Sequence, residues 1–363
     1  MNESDKQTGL VPVQPTALTK AGAKSLMARG RADLSAREEA EEWLKKGLDF
    51  YHKDRYEESF ACFERGIQLN PNHPELQYWL GGLLDSGDGI RQDYTQAASW
   101  FRRAAEQGLA EAQYRLGWLY MAGQGVPQEY AQAEVWYLKA ADQGHSWAQF
   151  NLGFLYERGW GVPQDYALAA EWYRKSAEQG YSWAQFNLGC AYRDGEGVTQ
   201  DYVLAAQWFR KAAALGDADA QYNLGCLYRD GHGVAQDDVQ AAYWWHKAAE
   251  QGDADAQSVL GNACFEGQGV TKDYAQAANW FRKAAEQGYG EAQFNLGLLY
   301  MAGQGVPQDY AQACFWLDIA SKGKIEGVAR NRDLAASHLT PADLSSVQER
   351  ARKWFEEHPA KPQ

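Results

Sequence analysis

Residues that carry chemistry are scarce in this chain. Its 363 residues include seven histidines and five cysteines. His52, His73, His145, His232, His246, His338 and His358 are scattered, and no two lie four apart, so no helix offers the paired face of a zinc site. Cys62, Cys190, Cys226, Cys264 and Cys314 contain no CxxC, and their number is odd. Cys190 and Cys226 fall at one position of adjacent repeats, which sets their backbones roughly 8–10 Å apart, a helix packing distance too long for a disulfide. All five are expected to be reduced thiols that act as small apolar packing groups. The GxSxG, HExxH and Walker-type phosphate-loop motifs are missing. No apolar run approaches the ~18 residues that would span a bilayer. The start, MNESDKQTGLVPVQPTALTK, carries early acids and no apolar stretch, and does not read as a secretory signal. Cations are outnumbered, 35 Lys and Arg against 48 Asp and Glu, for a net charge of -13. That balance disfavours nucleic acid and anionic membranes. The expectation is a cytoplasmic protein with no metal, no cofactor and no membrane insertion.

What the chain does have is a repeat. A leucine-glycine step recurs every 36 residues at Leu80-Gly81, Leu116-Gly117, Leu152-Gly153, Leu188-Gly189, Leu224-Gly225, Leu260-Gly261 and Leu296-Gly297. Trp100, Trp136, Trp172, Trp208, Trp244, Trp280 and Trp316 keep the same spacing. Self-similarity at a fixed period marks a solenoid, whose units bury their apolar faces by stacking on one another.

Within one repeat, Ala112, Leu116, Leu119 and Tyr120 fall at helical spacing and predict a helix A over Glu111 to Met121. Gly117 inside it costs about 1 kcal/mol against alanine, so its recurrence implies the close approach of a neighbouring helix. A GxG loop follows, then a helix B through Ala133, Trp136, Tyr137, Ala140 and Ala141, ending at Gln143-Gly144. Asp93, Asp165, Asp201, Asp237, Asp273 and Asp309, with Glu129, recur at the entry to helix B. Several have a glutamine three residues on, the spacing of a capping box. An acid at that position also argues against phosphate binding by the GxG loops. The periodic tryptophans read as core wedges between units.

The pattern AQFNLGxxYxxGxGVxQDYxxAxxWxxKAAEQG, carried with small departures by residues 148–180 and 292–324, resembles the Sel1-like repeat family, a relative of the tetratricopeptide repeat. The resemblance implies an all-α fold: a right-handed α/α superhelical solenoid of helix-turn-helix repeats, with the A helices lining a concave face. It also implies adaptors that hold proteins together. Seven such units are expected over 75–324. Residues 39–74 resemble one tetratricopeptide repeat, with Gly47, Tyr51, Tyr56, Ala61 and Phe63 matching that pattern. Residues 325–363 break the register and predict capping helices, Thr340-Pro341 marking a helix start. Residues 1–38 are polar and aperiodic and predict a mostly disordered tail.

Aromatics that break the repeat are the candidates for function. At the first turn of helix A the series runs Glu111, Trp147, Trp183, Asp219, Asp255, Glu291. A position that takes acids in sibling units reads as solvent-exposed, so tryptophan there leaves apolar surface in water with no folding reason visible in the pattern; packing of each indole against an adjacent helix is the alternative. Tyr181 lies two residues before Trp183, and Trp160 stands inside a GxG loop. Trp118 and Phe154 follow the helix A glycine, a position that by analogy faces the groove. Asn151, Asn187 and Asn223 form a ladder able to bond an extended peptide; a structural bond to a neighbouring loop is the alternative. Arg193 and Arg229 would add cations next to the apolar stretch, suiting a ligand with an apolar segment followed by an acidic one; pairing with Asp194 and Asp230 is the alternative for these two. The expected function is non-catalytic: a monomeric interaction scaffold or adaptor binding a partner protein or peptide in the groove, as a regulator or as an immunity-type protein that sequesters a toxin. The alternative class is a hydrolase with an unrecognised site in the groove, which a cluster of strongly perturbed carboxylates or histidines would favour.

Overall fold

The computed structural model of the chain describes residues 20–323 and 325–358. Among these there are 18 α-helices and no strand. Helices α1 (Lys20–Tyr51) and α2 (Tyr56–Leu69) come first. Seven A–B pairs follow: α3 (Pro74–Ser86) with α4 (Tyr94–Glu106), α5 (Ala110–Ala122) with α6 (Tyr130–Asp142), α7 (Ser146–Arg158) with α8 (Tyr166–Glu178), α9 (Ser182–Asp194) with α10 (Tyr202–Ala214), α11 (Ala218–Asp230) with α12 (Asp238–Glu250), α13 (Ala254–Glu266) with α14 (Tyr274–Glu286), and α15 (Gly290–Ala302) with α16 (Tyr310–Ala320). Helices α17 (Val328–Ala336) and α18 (Pro341–Glu357) end the chain. The fold is an all-α solenoid of stacked helix pairs.

The chain divides into two compact units, with the boundary inside α6 between Ala140 and Ala141. In the first, Ala40 and Leu44 of α1 pack with Phe63 of α2 and with Leu76, Leu80 and Leu83 of α3. Residues 20–38, expected as part of the N-terminal tail, form the start of α1. This stretch is rich in alanine, arginine and lysine, all strong helix formers, and it runs without a break into the first apolar helix. Residues 1–19 lie outside the described residues. In the second unit each helix from α7 to α16 packs against its neighbours in sequence, and α17 and α18 both pack on α16. Thr340 caps α18 by accepting from the backbone N–H of Asp343 at 3.2 Å.

The helix A glycine is explained by what faces it. A Cβ on Gly189 would stand 2.7 Å from the ring of Phe209, which is fully buried. Tyr173, Trp245, Phe281 and Leu317 fill the same place against Gly153, Gly225, Gly261 and Gly297. The ring that drives the A–B contact is therefore the residue after the periodic tryptophan. Of the periodic tryptophans of the second unit, Trp172, Trp280 and Trp316 are buried at 7–8% exposure, and Trp208 and Trp244 are partly buried. Trp208 packs partly buried on the cluster that α8 and α9 build, and Trp244 on that of α10 and α11, so they bridge successive pairs without being the deepest element. Lys175 and Lys211 cover Trp172 and Trp208, with Nζ 3.9 and 3.7 Å from the ring centroids.

The entry to helix B differs in one detail from a capping box. Asp201 accepts from the N–H of Val203 and of Leu204 at 2.9 and 3.0 Å, as an N-cap should. Its own N–H is already given to Tyr192 O of helix A at 2.9 Å. At Asp93 and Asp273 the glutamine three residues on therefore donates to the capping carboxylate instead of accepting from the cap's backbone. The GxG loop is equally committed. Gly195 ends α9 in the left-handed region at φ +75°, and Gly197, at φ +71°, abuts the backbone of Tyr166, leaving no room for a side chain.

A second ladder holds successive pairs together. Gln149, Gln185, Gln221, Gln257 and Gln293 are buried at 3–5% exposure. Each donates to an alanine carbonyl at the end of the preceding helix B, at 3.1–3.2 Å. Those carbonyls also accept the N–H of the glycine that closes the helix, so the glutamine takes their second lone pair. Gln179, Gln251 and Gln287 in turn donate to the Oε1 of Gln149, Gln221 and Gln257, at 2.7–2.9 Å.

Candidate partner-binding site

Helix A presents one face at i, i+4 and i+7 spacing. On α7 it carries Trp147, Asn151 and Phe154, and on α9 it carries Trp183, Asn187 and Cys190. Ala148, Gln149 and Leu152 take the buried face of α7, and Ala184, Gln185 and Leu188 that of α9. The two indoles are consequently left on the outside, 51% and 60% exposed. Their rings are linked through Tyr181, which precedes α9 and makes no side-chain cap. Its ring centroid lies 5.4 Å from that of Trp147 and 6.1 Å from that of Trp183. Phe150 supports the group from below, 5.1 Å from Tyr181 and 6.0 Å from Trp183. Phe150 occupies a repeat position that is usually aromatic, and the sequence pattern gave it no part in the site.

Trp160 is 40% exposed, yet it does not project from its loop: it folds edge-on against half-buried Phe154 at 5.3 Å. The Arg158 guanidinium covers Phe154 from 5.4 Å. Trp118 belongs to the first compact unit, where it lies partly buried on the cluster of Leu116, Leu119 and Trp136.

The polar candidates divide. Arg193 forms a bidentate pair with Asp194 at 2.8 and 2.7 Å, and it also donates to the Asn223 carboxamide oxygen. Asn223 gives its own amide to Asp219 O at 2.8 Å. Arg229 is likewise paired with Asp230, at 2.7 and 3.0 Å. Both arginines are held further above their usual range by these carboxylates. The cationic stretch expected beside the apolar one is therefore neutralised within each helix end, because Asp194 and Asp230 follow the arginines directly. The side chains of Asn151 and Asn187 make no hydrogen bond within the described residues, so the two amides nearest the indoles have spare capacity.

The thiols are unpaired, with Cys62, Cys264 and Cys314 buried and Cys190 and Cys226 partly so. Burial pushes Cys190 up to about 12, the behaviour of a packing group and not of a nucleophile. Two carboxyls of this unit, Asp217 and Asp253, are raised, first by burial, and each caps a helix. A Ser-x-x-Lys spacing, as serine acyl-transfer enzymes use, occurs once, from Ser321 to Lys324. The Ser321 hydroxyl donates to Asp318 O at 2.6 Å, and Lys324 lies outside the described residues.

A family model described as Sel1 repeat matches residues 74–109, 110–145, 148–181, 184–217, 218–253, 254–289, 290–324 and 331–357. The last match falls on α17 and α18, in the segment expected to cap the array. A Sel1 repeat protein from Oxalobacter formigenes is 31% identical, with 91% of this chain and 96% of that chain covered, at a TM-score of 0.62. A protective antigen of uropathogenic Escherichia coli strains, displaying an SLR fold, is 32% identical, with 89% and 87% covered, at a TM-score of 0.47. An immunity protein from Pseudomonas aeruginosa is 25% identical, with 59% and 81% covered, at a TM-score of 0.36. No curated protein sequence matches significantly.

Proposed function

The chain belongs to the Sel1-repeat family, and we propose that it is a non-catalytic interaction scaffold that docks a partner protein or peptide on the outward face of α7 and α9. The observation that carries this reading is the pair of exposed indoles, Trp147 and Trp183, at a position where sibling repeats keep Glu111, Asp219, Asp255 and Glu291. The acids support the reading that folding asks nothing apolar of that position. Exposed tryptophan and tyrosine beside one another are the usual anchors of interfaces. Asn151 and Asn187 would hydrogen-bond the backbone of what lies across them, and Phe154 with Trp160 would extend the apolar contact along α7. Such a protein works by holding its partner, as an adaptor or by sequestration. Five free thiols suit a reducing compartment, and no described helix is long and apolar enough to cross a membrane.

The test is affinity capture from source cells with the intact chain. Trp147→Glu/Trp183→Asp should lose the partner at an unchanged melting temperature. Val239→Ala/Tyr243→Ala, which removes apolar surface 63% and 50% exposed on α12, should keep it. Capture that survives the indole substitutions, or fails equally in both variants, would reject this face as the site.

A further inference from the structure

The row of positions that begins with the two indoles continues as acids. The equivalents of Trp183 on α11, α13 and α15 are Asp219, Asp255 and Glu291, all exposed. The row of helix-capping positions beside it runs Tyr181, Asp217, Asp253 and Tyr289. Asp217 and Asp253 each accept one backbone N–H through Oδ1, from Ala220 at 2.8 Å and from Ala256 at 2.6 Å. Asp255 lies near the Tyr289 hydroxyl and adds to burial in raising it. Among the described residues none of Asp217, Asp219, Asp253, Asp255 and Glu291 forms a salt bridge, while Arg193 and Arg229 at the other end of α9 and α11 are already paired with aspartate. Burial raises Asp217 and Asp253 first, and neighbouring carboxylates add to it: Asp219 beside Asp217, and Asp255 and Asp219 beside Asp253. An acidic ligand on this face would add to that repulsion, which reverses the ligand charge expected from the arginines in the sequence.

We propose that the partner engages this face with a segment that carries arginine or lysine next to an aliphatic or aromatic residue, one cation lying over the Trp147–Tyr181–Trp183 rings and further cations along Asp219 and Asp255. This rests on the docking reading above and adds the charge of what docks. Two different features select the same chemistry. Indole faces attract cations through their quadrupole, most strongly among the aromatics, and a guanidinium both stacks on a ring and pairs with a carboxylate. The chain already uses this contact internally, in Lys175 over Trp172 and Lys211 over Trp208. Its net charge of -13 would steer a cationic segment toward it from a distance.

The experiment is selection of a phage-displayed library of short random peptides on the intact protein, with counter-selection on Trp147→Glu/Trp183→Asp. One enriched peptide is then titrated in solution against the wild-type chain and against Asp219→Lys/Asp255→Lys. Enriched sequences should carry Arg or Lys beside apolar residues. Charge reversal should weaken the chosen peptide by about tenfold or more, equal to 1.4 kcal/mol or above, and about 1 M salt should weaken it too, because screening then acts within about 3 Å. Asp219→Asn/Asp255→Asn, which keeps a side-chain oxygen near Tyr289, should show a smaller loss in the same direction, separating charge from misfolding. Enrichment of acidic or uncharged peptides, or affinity indifferent to both charge variants, would overturn the cationic partner and leave the indole site standing. If no peptide depends on the indoles, the cationic partner and the docking reading fall together.

Discussion

The Oε1 of Gln185 is buried without a hydrogen-bond partner because position 215 is a leucine. In the repeats on either side a glutamine fills that place: Gln179 donates to Gln149, and Gln251 donates to Gln221. Leu215 is instead 61% exposed, so it contributes little apolar burial of its own. Leu215→Gln should restore the missing bond and stabilise the protein by about 1 kcal/mol, the net worth of a typical hydrogen bond. Thermal unfolding checks this: the melting temperature should rise, and an unchanged or lower value would mean that the ladder does not hold the pairs together.

The relation between Phe209 and Gly189 predicts which ring of helix B matters most. Phe209→Ala should cost about 3–5 kcal/mol, as for a fully buried aromatic. Trp208→Ala, partly buried beneath Lys211, should cost less, and its unfolding should broaden as coupling between pairs weakens. Denaturant titration of both variants decides the order. A larger loss for Trp208 would return the wedge role to the tryptophan series.

Much of this was legible in the sequence because repetition exposes constraint. The leucine-glycine step and the glycines of the GxG loops recur without interruption, the Asp caps with Glu129 as their one exception, and each has one cheap structural cause. Less legible was whatever depends on partners far along the chain. The Gln149 series looked like part of a family motif, since nothing local says that its amide reaches the carbonyl of Ala141 and its oxygen meets Gln179. Phe209 hid behind the more conspicuous Trp208, because its position varies among Phe, Tyr, Trp and Leu while the tryptophan does not. The pairing of Arg193 with adjacent Asp194 was open to the sequence as an alternative, whereas its bond to Asn223 is set only once α9 and α11 are stacked. At the candidate site, exposure of Trp147 and Trp183 followed from the acids in sibling repeats, whereas the ring of Tyr181 between them did not.

Acid should separate two kinds of carboxylate. Asp217 and Asp253 are raised in the folded state by burial. The folded form therefore binds protons more readily than the unfolded one, and stability is lost as pH rises from the unfolded value, about 3.9, through the folded one. Asn at these positions still caps a helix. Asp217→Asn/Asp253→Asn should raise the melting temperature near neutral pH, with the gain vanishing well below about pH 4. A variant less stable than wild type at neutral pH would contradict this.

The thiols should behave as core. With Cys190 pushed up to about 12 and Cys62, Cys226, Cys264 and Cys314 also raised by burial, alkylation of the native protein near pH 8 should be slow. Denaturant should release five reactive thiols, and reductant should leave the melting curve in place. Rapid labelling of Cys190 in the native protein would show an open, activated thiol instead.

The central claim is that Trp147 and Trp183 serve a partner and not the fold. The most direct measurement is calorimetric titration of the captured partner into the wild-type chain and into Trp147→Glu/Trp183→Asp, beside melting curves of both. The account predicts equal melting temperatures and an affinity lower by about 30-fold or more, the loss of at least one anchor worth about 2 kcal/mol. Equal affinities, or a variant that unfolds, would contradict it.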